Sequence, residues 1–256
     1  RAKMLYMVPV GHNPTGTTLA SERYRAIYEL ARRFGLLIVE DDAYFYQQHS
    51  ARAAPPGEPL AAGPPGLRAL GPSFLSLDVD GRVMRLDSFS KWLAPGFRLG
   101  WVTGARPLVA KYSALAYASS QHGCSLSMML VGKALQSWGR DGLDRHLRAL
   151  QAALRSRCDA LLAAAEEHLG DGAHVFQRPQ AGMFLWVRLA RCPESTEALL
   201  DAMRRHRVAV LPGSACAVAP RPPGQEVPYV RLSFAFGEEH YGEALGRFGA
   251  LAAGLP

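Results

Sequence analysis

Apolar and polar positions set the first elements. The run Lys3-Met4-Leu5-Tyr6-Met7-Val8-Pro9 reads as a short buried strand that gives way to a loop. Beyond it Tyr24, Ile27, Tyr28, Leu30, Ala31 and Phe34 recur at three- and four-residue steps. That spacing predicts a helix, with Ser21 at its N-cap and Gly35 at its stop. Leu36 to Asp41 is a second buried strand. Strand, loop, helix and strand in this order predict a parallel sheet with helices on its faces. Arg82–Ser88 and Arg98–Gly104 add further strands. Pro107 to about Leu169 turns helical, and its second half is a long amphipathic helix with Leu147, Leu150, Leu154, Leu161 and Leu162 near one stripe. After Gly170 and Gly172 the texture changes again. Strands are expected at 182–189, 208–213 and 229–236, and helices at 195–206 and 238–254. The fold class is therefore α/β, the C-terminal part of a mainly parallel-sheet large domain over residues 1–149, followed by a small α+β domain over 150–256. The stretch Ser50 to Pro72 is dense in Pro and Gly and reads as a loop excursion.

Composition narrows the class. The chain has 256 residues, 48% hydrophobic and 20% charged, a water-soluble globular balance. No apolar run approaches the ~18 residues of a membrane span, and the first residues carry no signal-peptide pattern. The four cysteines, Cys124, Cys158, Cys192 and Cys216, form no CxxC pair and have no His at metal-ligand spacing, which points away from a zinc site and toward a reducing compartment. The net charge of +7 comes mostly from scattered Arg, with no basic run of the kind that grips nucleic acid. The expectation is no metal, no nucleic acid and no membrane partner.

Three short stretches carry chemistry. In Arg85–Gly100, Ser88, Ser90, Lys91 and Arg98 fall within eleven positions. The stretch is either an ordinary polar loop or a lysine that bonds to a carbonyl cofactor with phosphate ligands beside it. Asn13-Pro14-Thr15-Gly16 follows the first strand as a tight turn at the sheet edge where ligands of parallel sheets bind; such a turn is also often purely structural. Asp41 and Tyr44 end the second strand on the same edge, where a lone Asp reads equally as a solvated or capping residue unless it has a cationic partner. Pyridoxal 5′-phosphate unites them. It needs a Lys for its aldehyde, an Asp for its ring nitrogen, donors for its phenolate oxygen and Ser or Arg for its phosphate. Lys91, Asp41, the pair Asn13 and Tyr44, and the trio Ser88, Ser90 and Arg98 fill these places.

With Asn-Pro-Thr-Gly, then Asp-Asp-Ala-Tyr, then Ser-Phe-Ser-Lys with Arg seven residues on, the chain resembles the fold-type I, class I/II aminotransferases. It is most similar to those of kynurenine and 2-aminoadipate, and the likeness covers nearly all of the chain. The resemblance implies a pyridoxal-phosphate aminotransferase that moves an amino group from an L-amino acid to a 2-oxo acid such as 2-oxoglutarate. It implies Lys91, Asp41 and Tyr44 as catalytic residues, Arg231 as the fork on the substrate α-carboxylate, Asn13 beside it, and Phe184 as a pocket or core aromatic. It implies a homodimer in the full-length protein, and a mitochondrial matrix or cytoplasmic location. It also implies an upstream half, so that this stretch by itself is expected to bind cofactor weakly and turn over little. Two rival expectations are a lyase of the same fold and the ligand-sensing domain of a transcription regulator.

Overall fold

The computed structural model describes residues 2–50, 66–67, 69–191, 195–218, 227–235 and 237–255. Most of the proline-rich insert, together with Cys192 and Phe236, lies outside the described residues. The chain divides into two compact units, Arg1–Gly11 with Thr18–Ala152, and His12–Thr17 with Ala153–Pro256.

The first unit is built on a four-stranded sheet in the order β1 (Met4–Met7), β2 (Leu37–Asp41), β3 (Val83–Ser88), β4 (Gly100–Gly104). β1, β2 and β3 run parallel, as the strand–helix–strand order requires, and β4 returns antiparallel to β3. Helix α1 (Ser21–Phe34) connects β1 to β2 and buries Tyr24, Tyr28 and Ala31. These pack with Ile38, Phe74 and Val83 from the sheet and from the one-turn helix α2 (Phe74–Leu77). Gly35 ends α1 in the left-handed region, φ 63°, where glycine has no Cβ to clash. The start differs from expectation. Ala20 has the extended cap conformation and Ser21 is already the first helical residue, so the serine does not cap.

β1 differs too. It was expected to be buried, yet Met4 and Tyr6, which alternate onto one face of the strand, are each 58% exposed. Helix α3 (Arg106–Ala118) and the long α4 (Ser125–His168) follow. Leu147 on α4 is fully buried with Phe89, Trp92 and Val131, the core beneath the β3–β4 connection.

The second unit holds the rest of α4 and a sheet in the order β5 (Ala173–Val175), β6 (Phe184–Leu189), β8 (Tyr229–Ser233), β7 (Leu211–Pro212). Every pairing in it is antiparallel. Helices α5 (Thr196–His206) and α6 (Tyr241–Ala253) complete it. Leu185, Val187, Val230, Phe234, Leu245, Phe248 and Leu251 form its buried centre. The strand expected at 208–213 shrinks to Leu211-Pro212, and Gly213 opens a 3-10 turn directly after it.

Candidate active site

In the first unit the site residues sit at the C-terminal ends of two neighbouring parallel strands. Asp41 is the last residue of β2 and pairs in register with Leu86. Paired positions share a sheet face and residues two apart return to it, so Asp41, Leu86 and Ser88 look the same way. Tyr6, on the edge strand, donates its hydroxyl to Asp41 Oδ2 at 2.5 Å. Partial burial and this carboxylate push the Tyr6 phenol up to about 12. Just beyond β2, Tyr44 is buried and precedes a 3-10 turn over Phe45–Gln47.

β3 runs directly into a second 3-10 turn, Phe89–Lys91. Ser88 caps it, its Oγ accepting the Ser90 N–H at 3.1 Å. Lys91 closes the turn, with Nζ 5.5 Å from the centre of the Tyr44 ring. Its backbone is pinned. Gln47 donates its side-chain amide to the Lys91 carbonyl, and His146 Nε2 donates to the next carbonyl, that of Trp92, at 2.7 Å. The Lys91 amine is not pinned: among the described residues no carboxylate lies within ion-pair distance of it. Arg98 is exposed in the left-handed region, φ 49°, and donates to the Pro95 carbonyl at 3.2 Å. The neighbouring Leu99 carbonyl accepts the Phe89 N–H at 3.0 Å, which fastens the Arg98 segment to the lysine turn.

In the second unit the turn at 12–17 closes on itself through Gly16 N–H to the His12 carbonyl at 2.7 Å and His12 N–H to the Thr17 carbonyl at 2.8 Å. Gly16 has φ 66°, and a Cβ there would collide with the Phe184 carbonyl oxygen. Only glycine lets this turn lie on the start of β6. Asn13 is thereby brought to Arg231 of β8, whose guanidinium donates to Asn13 Oδ1 at 2.6 Å. The same guanidinium lies over the Phe184 ring, 4.2 Å from its centre. With Oδ1 engaged, Asn13 keeps its NH₂ donors, and Arg231 keeps further N–H groups of its fork.

The structure therefore gathers Asp41, Tyr44, Ser88, Ser90, Lys91 and Arg98 in one unit, and Asn13, Phe184 and Arg231 in the other. It also contains a group that sequence reasoning missed. Glu40, Asp42, Arg85 and Asp87 are buried together on the opposite face of the β2–β3 strand ends. Arg85 forks onto Asp87 at 2.8 and 2.9 Å and reaches Asp42 at 3.3 Å. Burial pushes the Asp42 carboxyl well above its usual range, with Glu40 reinforcing the shift. Burial raises Glu40 too, against the two N–H groups of Phe74 and Leu75 that it accepts at 2.7 and 3.1 Å. Burial alone would lower Arg85, but Asp87, Asp42 and Glu40 outweigh it and hold the guanidinium above its ordinary value. The signal for this cluster is opposite charge across two paired strands, which becomes readable only once the register Glu40 to Arg85 is known.

The chain belongs to the class I and II aminotransferases, whose family model matches residues 4–248. It is 37% identical over 232 residues to the mitochondrial kynurenine/alpha-aminoadipate aminotransferase of Bos taurus, covering 91% of this chain and 50% of that protein. It is 37% identical over 191 residues to an aromatic amino acid aminotransferase of Schizosaccharomyces pombe, covering 74% of this chain and 40% of that one. Among solved structures it resembles the alpha-aminoadipate aminotransferase LysN of Thermus thermophilus, complexed with N-(5′-phosphopyridoxyl)-L-leucine. There the TM-score is 0.81 at 27% identity, over 98% of this chain and 59% of that one. The chain thus spans about half the length of the curated relatives it matches.

Proposed function

We propose that this chain carries the cofactor-anchoring and carboxylate-binding residues of a pyridoxal-phosphate-dependent aminotransferase. The observation that carries the reading is Lys91. Its backbone is fixed at the end of β3 by Gln47, its amine is unpaired by any carboxylate among the described residues, and the Tyr44 ring lies 5.5 Å away. The donor set fits pyridoxal phosphate: an amine for its aldehyde, a carboxylate for its ring nitrogen, and hydroxyls with a guanidinium for its phosphate.

When bound, the cofactor supplies an electrophilic aldehyde and an electron-withdrawing ring that weakens the substrate Cα–H bond. Lys91 Nζ would hold that aldehyde, and its amine is the group that would carry the substrate Cα proton as general base and acid. Asp41 holds a proton on the ring nitrogen, and the 2.5 Å bond from Tyr6 keeps its carboxylate aimed. Ser88, Ser90 and Arg98 would bind the phosphate and Tyr44 would donate to the ring oxygen, a role that the family resemblance also gives to the Asn13 amide. Arg231 binds the α-carboxylate by its free N–H groups, with Phe184 as the flat support beneath its guanidinium. Fixing the carboxylate orients the Cα–H bond for the transfer.

The names of the bovine and fission-yeast relatives support kynurenine, 2-aminoadipate or an aromatic amino acid as donor, and a 2-oxo acid such as 2-oxoglutarate is the acceptor proposed with them. Relatives named as mitochondrial favour that compartment. The test is a coupled assay of the purified protein with these donors, 2-oxoglutarate and added cofactor. Glutamate formation that is abolished by Lys91→Arg supports the reading. Turnover that survives Lys91→Arg contradicts it.

A further inference from the structure

The two strand ends that carry the proposed cofactor ligands are joined on their other face by one side chain. Arg85 forks onto Asp87, which immediately precedes Ser88, at 2.8 and 2.9 Å. It reaches Asp42, which immediately follows Asp41, at 3.3 Å. Its guanidinium also lies over the Phe45 ring, 4.0 Å from the centre, and Phe45 is the residue after Tyr44. Arg85 therefore touches the chain directly beside Asp41, Tyr44 and Ser88.

We propose that Arg85 is a positioning residue: its buried guanidinium fixes the spacing between the Asp41–Tyr44 segment and the Ser88–Lys91 segment, and so sets the cofactor site that both segments form. The inference rests on the function proposed above.

Energetics favours geometry over stability as the reason for the cluster. Glu40 and Asp42 are at most 1% exposed, and Arg85 and Asp87 are 7% exposed. Three carboxylates against one guanidinium would leave uncompensated negative charge in a dry site, which is costly. Burial, reinforced by Glu40, pushes the Asp42 carboxyl well above its usual range, which lessens the charge, and Glu40 accepts the N–H groups of Phe74 and Leu75. The Tyr46 phenol also faces the group; burial raises it, and Asp87 and Asp42 reinforce the shift. Such a site is seldom more stable than an apolar replacement of the same volume. What apolar side chains cannot supply is a fork that links two strand ends at fixed distances.

The test compares the purified protein with Arg85→Met/Asp87→Leu, Arg85→Lys and Asp42→Asn. Three quantities are read: the melting temperature without cofactor, the dissociation constant for pyridoxal phosphate, and the pH midpoint of the visible band of bound cofactor. The double variant is expected to melt close to wild type, bind the cofactor at least tenfold more weakly and shift the pH midpoint. Arg85→Lys, which keeps the charge without the fork, is expected to fold and show a smaller loss of the same kind. Asp42→Asn, which mimics the protonated acid, is expected to keep wild-type affinity. Folded Arg85 variants with unchanged affinity and unchanged midpoint would overturn the inference. If the double variant does not fold, Arg85→Lys decides by the same two readings. Failure of the underlying function shows separately, as a wild-type protein that binds no pyridoxal phosphate.

Discussion

Arg231 illustrates how a single residue's contacts constrain its role. One donor engages Asn13 at 2.6 Å and the flat face rests on Phe184, so the remaining N–H groups are held in a fixed plane. A planar, partly engaged fork suits a carboxylate better than a point charge would. Losing one good charged pair costs about 3 kcal/mol, so Arg231→Ala is expected to cut kcat/KM by about a hundredfold. The loss should be similar for every amino donor, because all share the α-carboxylate. Steady-state kinetics on three or more donors checks this, and a loss confined to one donor would mean that Arg231 reads the side chain. At this scale the sequence was legible where chemistry lies in one short segment, as with Ser88, Ser90, Lys91 and Arg98. It was not legible for Arg85 and Asp87. Strand alternation puts them on one face and Met84 and Leu86 on the other, and an isolated strand gives no reason to bury the charged face. Partners from β2 supply that reason.

Among the elements, glycines mark where the backbone departs from what other residues tolerate. Helix α4 is interrupted at Gly139, with φ 58° and ψ −169°, a conformation that only glycine adopts readily. No atom lies within 4 Å of a Cβ built there, so the constraint is the backbone and not crowding. Gly139→Ala is expected to destabilise by about 1–3 kcal/mol. Gly16→Ala should cost more, because strain at φ 66° adds to a collision with the Phe184 carbonyl. Urea unfolding of both variants orders them; an equal or reversed order would show that the turn relaxes away from β6. Element types were largely legible, since α1 and the second half of α4 have clear apolar stripes. Element ends were less so. Ser21 has a good capping side chain, but Ala20 takes the cap conformation. The apolar residues of 208–213 suggested a strand of full length, and only Leu211-Pro212 pair with β8.

For the molecule as a whole, the buried Asp42 carboxyl makes a contribution to stability that depends on pH. Asp42 is raised well above its ordinary value near 3.8. Its protonated form is favoured by folding, so its contribution is fully present below the unfolded value and is lost as pH rises through the folded one. Asparagine has no such proton to lose. Thermal melts from pH 4 to 8 are therefore expected to show Asp42→Asn gaining on wild type as pH rises. A difference that stays constant with pH would mean that Asp42 is ionised throughout.

Membership of the aminotransferase family rests on a match over residues 4–248, and the chain corresponds to about half of its curated relatives. The central claim concerns one atom of that match, the Lys91 amine. The direct measurement is to mix the purified protein with pyridoxal phosphate, reduce with borohydride, digest, and locate the added cofactor mass by peptide sequencing. The account predicts one dominant labelled peptide, modified at Lys91 and absent from Lys91→Ala. Label distributed over Lys3, Lys111 or Lys133, with Lys91→Ala labelled as strongly as wild type, would contradict it.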